Sequence, residues 1–280
     1  MASAPSLRKK PGVAALGLIL VAALWIGFVI FAPLAVVFVE ALRKGFSTYS
    51  EALSDPDCQA AIALTAQVAL VAVPLNALFG LAAAWCVTRF EFVGKALILS
   101  LIDLPFSLSP VISGMVWVLL FGANGWFGPQ LDAWGVHLVF NFTGIVLATL
   151  LVTFPFVARE LIPLMQQQGA DEEAAAVTLG AGAFDVFFRV TLPKIAWGLL
   201  YGVLLCNARA MGEFDAVSVI SGHIRGLTDT VPLHVEVLYN EYNFAAAFAV
   251  ASLLAALALV TLVAKSLLER RFEKERRSNG

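Results

Sequence analysis

Of 280 residues, 60% are hydrophobic and only 14% charged, with a formal net charge of -2 and a mean hydropathy of +0.86. An ordinary soluble domain carries about 25% charged residues, so a water-soluble globular class is excluded. The near-neutral balance gives no global field for a nucleic acid, and Cys58, Cys86 and Cys206, without metal-ligand spacing, form neither a disulfide framework nor a zinc site.

In chain order, Arg8, Lys9 and Lys10 precede an apolar stretch from Val13 to Val39. That is far longer than the roughly 7–15 residues of a secretory signal core, so it reads as a retained first membrane helix. Further apolar runs at 60–88, 96–121, 142–165, 195–220 and 244–268 each suffice for a bilayer, which takes about 20 residues of helix. The predicted fold is all-α, a polytopic membrane protein with six transmembrane helices.

Six crossings leave both termini on one side, and the basic residues say which. One side holds Arg8, Lys9, Lys10, Arg89, Lys95, Arg189, Lys194, Lys265, Arg270, Arg271, Lys274, Arg276 and Arg277, against Arg43, Lys44 and Arg225 on the other. The positive-inside rule then makes both termini cytoplasmic. Trp126, Phe127 and Trp134 in the middle outer loop suit anchoring at a membrane interface. Pro33, Pro74, Pro105, Pro110, Pro155 and Pro163 fall within the predicted spans and are expected to kink them.

The third span contains Asp103-Leu104-Pro105-Phe106-Ser107-Leu108-Ser109-Pro110-Val111-Ile112-Ser113-Gly114. Ser109 lies about 21 Å along a helix from Lys95, beyond the middle of a roughly 30 Å hydrocarbon core. A broken helix at that depth can line a passage, with Ser107, Ser109 and Ser113 donating hydrogen bonds to an anion without fixed charge. Alternatively, the serines bond back to their own helix. The fifth span carries Asn207, Arg209 and Glu213. A charged group inside a bilayer needs a partner, and Glu213 at i+4 is the one within reach of Arg209. The pair is either a pathway element or a structural ion pair.

Between the fourth and fifth spans lies the longest cytoplasmic connection, Gln166 to Pro193. Asp171 is expected to cap a short helix whose first turn carries Glu172 and Glu173. Gly180 and Gly182 interrupt it, and Phe184, Phe187 and Phe188 then share one face, with Asp185 and Arg189 four apart on the other. Such a segment either docks a partner or lies on lipid headgroups.

The stretch from Glu173 to Pro193 resembles the EAA loop of binding-protein-dependent ABC permeases, with Ala175, Ala176 and Gly180 in register and Leu192-Pro193 at the family's distance beyond the glycine. Ala174 stands where that family usually has its glutamate, and the acidic role passes to Glu173. The run from Asn207 to Gly226, continued by Pro232 to Asn243, resembles sulfate and thiosulfate permease subunits of the same family. Molybdate permeases are similar around Arg209 and Glu213 but usually lack the extra first span, and Asp215 stands where glycine is commoner in both groups.

The resemblance implies a type I ABC importer (MetI-like) permease fold in a bacterial inner membrane. Residues 1–12 would be a cytoplasmic tail, 13–59 the first helix and a periplasmic loop, 60–268 the transmembrane core with a coupling loop at 169–194, and 269–280 a second tail. It implies three kinds of partner: a cytoplasmic ABC ATPase dimer, a second related permease subunit and a periplasmic sulfate- or thiosulfate-binding protein. Glu172, Glu173, Ala175, Ala176, Gly180, Leu192 and Pro193 would couple to the ATPase, and the candidate pathway is Ser107, Ser109, Ser113, Asn207, Arg209 and Glu213.

No cofactor is expected on this chain, because ATP would be bound by the partner. Gly94-Lys95 is followed by Ala96 and lacks the glycine of a P-loop at Arg89. His137, His223 and His234 show no metalloprotease spacing and fall in predicted outer loops. A membrane enzyme using Arg209 and Glu213 would lack a cluster of acid, base and nucleophile, and an ATP-independent ion-coupled carrier would leave the EAA-like loop without a role.

Overall fold

The computed structural model describes residues 12–278, with side chains described up to Leu267 apart from Val13. Arg8, Lys9 and Lys10 lie outside the described residues, and the segment expected as a second tail continues as helix to Ser278.

Every regular element among the described residues is helical. Helix α1 (Val13–Leu42) is followed by the short α2 (Phe46–Ser54) and by α3 (Pro56–Arg89). The Asp55 side chain accepts from the backbone N–H groups of Asp57 and Cys58, and Pro56 at the first turn needs no partner for a missing donor. Helices α4 (Lys95–Ser107) and α5 (Pro110–Phe121) meet at a 108° bend. The third predicted span is therefore two half-helices rather than one kinked helix. Pro110 opens α5, where its missing N–H costs nothing, whereas Pro33, Pro74, Pro105 and Pro163 lie inside helices.

After the small α6 (Gly128–Ala133), α7 (Phe142–Thr153) and α8 (Pro155–Gln168) together form one continuous span, with Asn141 accepting from the Gly144 N–H at its start. Pro155 likewise begins a helix rather than kinking one. Next come α9 (Asp171–Thr178), α10 (Ala183–Val186), a π-helical turn (Phe187–Thr191) and α11 (Leu192–Met211). The predicted fifth span at 195–220 is displaced: the apolar helix runs over Ala183–Met211, stops at Gly212, and Asp215–Ile220 forms a separate helix, α12. Helices α13 (Val231–Asn240) and α14 (Phe244–Ser278) complete the chain.

The core sits where α3, α8 and α11 meet, around Val73, Ala84, Val157, Leu161, Met165, Ile195 and Cys206. Lipid gives little hydrophobic drive for helices to associate, so small residues and polar ties carry much of the packing. Buried Asn76 donates to Thr153 Oγ1 at 2.7 Å and to the Leu150 carbonyl at 3.3 Å, joining α3 to α7. Thr65 accepts from the Val231 N–H at 2.9 Å, joining α3 to the start of α13. By contrast α1 leaves almost its whole surface bare and packs along α14.

Candidate functional site: a broken helix, a buried carboxylate and a clamped loop

At the bend, Ser107 ends α4 and Ser109 precedes α5, both exposed and neither capping with its side chain. Ser113 faces inward at 2% exposure, its hydroxyl 3.4 Å from the Ser109 carbonyl, so it bonds back to its own helix instead of joining the other two serines on open surface. One turn on, a Cβ at Gly114 would stand 2.6 Å from the Ala216 carbonyl oxygen, a distance real side chains do not tolerate. Only glycine lets α5 lie this close against α12.

Two residues before α12 stands Glu213, which is 2% exposed. One oxygen accepts the Ala216 N–H at 3.1 Å, and the other faces Arg209 Nη2 at 3.0 Å. The Arg209 side chain keeps 35% of its surface exposed. Glu213 thus closes the turn between α11 and α12 and holds Arg209, while half-buried Asn207 makes, among the described residues, only a weak contact from its amide to Met211 Sδ at 3.6 Å. Through Gly114 and Ala216 the structure brings the bend of α4 and α5 into one assembly with the Arg209–Glu213 pair.

At the end of the bundle marked by Arg89, Lys95 and Lys194 stands the segment from α9 to the π turn. Ala170, not Asp171, takes the N-cap position of α9, leaving Asp171, Glu172 and Glu173 in the first turn where the helix dipole favours carboxylates. Gly180 has φ of +90°, and its N–H bonds to the Val177 carbonyl while that of Ala181 bonds to Ala176. This is a Schellman closure, which needs a left-handed residue and ends the helix after one further position.

Glu173 points inward. Its carboxylate meets Arg89 Nε at 2.6 Å and accepts from Arg89 Nη2 at 2.9 Å and from the Thr191 hydroxyl at 2.8 Å. Arg89 also donates to the carbonyls of Gly169 at 3.0 Å and Met165 at 3.4 Å. Three chain segments are therefore fastened by one buried ion pair. Glu172 points outward, paired with Lys194 at 3.0 Å. Ala175, Gly180 and Pro193 are exposed, and Ala176 and Leu192 are half-buried.

Leu179 and Phe184 stand bare at 88% and 81% exposure, with Val177 and Phe188 also exposed. Phe187 meets the edge of Trp85 at 5.5 Å, and Phe184, Phe187 and Phe188 together line one groove of ≈ 310 Å³ with Leu78 and Leu81.

Residues 76–274 match the family of binding-protein-dependent transport system inner membrane components. The chain belongs to this family of ABC permeases. It is 51% identical over 254 residues to the sulfate transport system permease protein CysW of Synechocystis, covering 91% of this chain and 92% of that one. It is 49% identical to CysW of Escherichia coli K12, over 89% and 85% of the two chains. It is 34% identical to CysT of that organism, a sulfate transport system permease protein, over 89% and 90%. The crystal structure of a bacterial alginate ABC transporter with its periplasmic protein superposes with a TM-score of 0.76 over 92% of this permease, at 15% identity, and so shows a shared fold.

Several polar contacts of the permease escaped sequence reasoning. Arg89 counted there only as a cytoplasmic charge, and Thr191 carried no signal; Glu173 lies 84 positions from Arg89, so no local pattern could join them. Arg159 and Asp103, both inside predicted spans, form an ion pair at 3.3 Å between α8 and α4. His234, expected in a polar outer loop, is 3% exposed in α13 and lies 3.2 Å from Asp229.

Proposed function

We propose that this permease is one half of the translocation pathway of an ATP-driven importer of sulfate or thiosulfate in a bacterial inner membrane. The observation that carries the coupling role is the contrast within one short segment: Glu173 is locked inward on Arg89 and Thr191, while Leu179 and Phe184 a few residues on are almost fully bare. A rigidly held segment with bare apolar side chains just before and at the start of the Ala183–Met211 helix is suited to transmit force to a protein partner. The partner of that chemistry is a cytoplasmic ABC ATPase dimer, which would bind the ATP. Hydrolysis there drives the bundle between inward- and outward-facing states. The names of the half-identical relatives support the substrate class, and their CysT counterparts support a second, related permease subunit. A periplasmic binding protein would deliver the anion to the outer loops.

Within the membrane, Arg209 supplies positive charge with Glu213 as its counter-ion. Ser107 and Ser109 offer neutral donors at the bend, a combination that attracts a dianion without trapping it. The test is ATP-dependent uptake of labelled sulfate by the complex in liposomes, with unlabelled sulfate, thiosulfate and molybdate as competitors. Sulfate and thiosulfate should compete and molybdate should not; effective competition by molybdate alone would reassign the substrate.

A further inference from the structure

Asp103 stands eight residues into α4 from Lys95 and Arg159 nine residues before the end of α8, each about 12–14 Å from the basic end of the bundle at 1.5 Å rise per residue. Both belong to segments apolar enough to cross a membrane. Even so, their side chains expose 58% and 54% of their surface, unlike the Arg89–Glu173 pair at 10% and 13%. A lysine or arginine can snorkel toward headgroups, but a carboxylate on so short a stem cannot, and lipid does not solvate it. This flank must face water or protein.

The contact itself is loose. Arg159 Nε lies 3.3 Å from Asp103 Oδ1, and the guanidinium carbon sits 4.7 Å from the centre of the Phe106 ring, which is backed by Phe156. Among the described residues these are the only partners of Arg159, so both terminal nitrogens remain available on the open side. Ser107, exposed at the 108° bend, follows Phe106 directly.

We propose that Arg159 forms an inner subsite for a tetrahedral oxyanion, through which the substrate passes after leaving the level of Arg209. A planar guanidinium offers parallel N–H groups that match two oxygens of such an anion. Asp103 neutralises the arginine while the path is empty. An arriving dianion competes with that carboxylate for the guanidinium, which keeps binding weak and release toward the cytoplasm fast. The subsite rests on the oxyanion-import reading above and adds a second residue at a different depth.

The experiment uses the whole complex in liposomes with its binding protein and labelled sulfate. Arg159→Cys is made in a Cys86→Ser background, since Cys58 and Cys206 are fully buried. Loss of a charge-assisted contact should lower the uptake rate by about 10-fold or more. A trimethylammonium-bearing thiol reagent should restore it, a neutral reagent of similar size should not, and sulfate should slow the modification. Rescue by the cationic reagent should persist in Asp103→Ala/Arg159→Cys, where no carboxylate is left to pair.

Rescue that disappears without Asp103, equal rescue by the neutral reagent, or modification indifferent to sulfate would each show a structural ion pair and overturn the subsite. Should the cysteine variant fail to assemble, Arg159→Lys, which keeps the charge without the fork, should transport at an intermediate rate; full wild-type uptake would overturn the proposal equally. A wild-type complex that imports no sulfate sinks the substrate reading itself, whereas normal wild-type uptake with indifferent Arg159 variants sinks only the subsite.

Discussion

Replacing Glu173 by alanine removes one acceptor from three contacts: Arg89 Nε at 2.6 Å, Arg89 Nη2 at 2.9 Å and the Thr191 hydroxyl at 2.8 Å. Breaking a buried pair by deleting one member costs about 3–5 kcal/mol, because the other charge is left uncompensated. Here the side chains retain 10% and 13% exposure, and Arg89 keeps the Gly169 and Met165 carbonyls, so a loss of about 2–4 kcal/mol is expected. The loss falls on the segment from α9 to the π turn, since the apolar core of α3, α8 and α11 does not use this carboxylate. Local opening should rise by about 30- to 800-fold, visible as faster amide exchange in peptides spanning 169–191, with core helix peptides unchanged. Arg89→Met combined with Glu173→Met should recover much of the protection, since no lone charge remains. If Glu173→Ala leaves exchange in that segment as it was, the ion pair does not hold the loop.

Other perturbations have equally specific outcomes. Gly180→Ala forces a side chain into a left-handed backbone at a cost of about 1–2 kcal/mol, and should weaken copurification of the ATPase while membrane insertion persists. Gly114→Ala places a methyl group against the Ala216 carbonyl and should lower the thermal stability of the detergent-solubilised complex; an unchanged melting temperature would mean that α5 and α12 are less tightly apposed. Asn76→Leu leaves the Thr153 hydroxyl to its bond with the Thr149 carbonyl and should destabilise the bundle by about 1–3 kcal/mol, measured by the same melting assay. Arg209→Ala should reduce labelled sulfate uptake at normal complex assembly, and normal uptake would assign Arg209 to structure alone.

How far the chain could be read in advance depended on whether the governing physics was local. Long apolar runs declare their own helices, so α1, α3 and the α7–α8 span were legible with boundaries a few residues short, and α14 was legible from its start but runs ten residues beyond its expected end. Pro105 and Pro110 flagged the third span as irregular, yet Pro105 lies inside α4 while Pro110 opens α5, and neither residue says where the chain turns, so the 108° bend was out of reach. Arg209 and Glu213 were paired on helical spacing and do meet at 3.0 Å, although the helix ends at Met211 and Glu213 lies past it. The direction that Glu173 takes had no local signal. A carboxylate beside Arg89 is drawn inward, and Arg89 comes from a helix far away in sequence. The apolar face left exposed belongs instead to Leu179, Phe184 and Phe188.

The coupling role of that bare face can be put to direct test with a photo-reactive residue at position Leu179 in the assembled transporter in native membranes. Illumination should join the permease to its ATPase, with a yield that changes when ATP is added, while the same group at exposed Tyr242 in the segment between α13 and α14 should not reach the ATPase at all. Cross-links from position 179 only to lipid, or to a protein on the opposite side of the membrane, would contradict it.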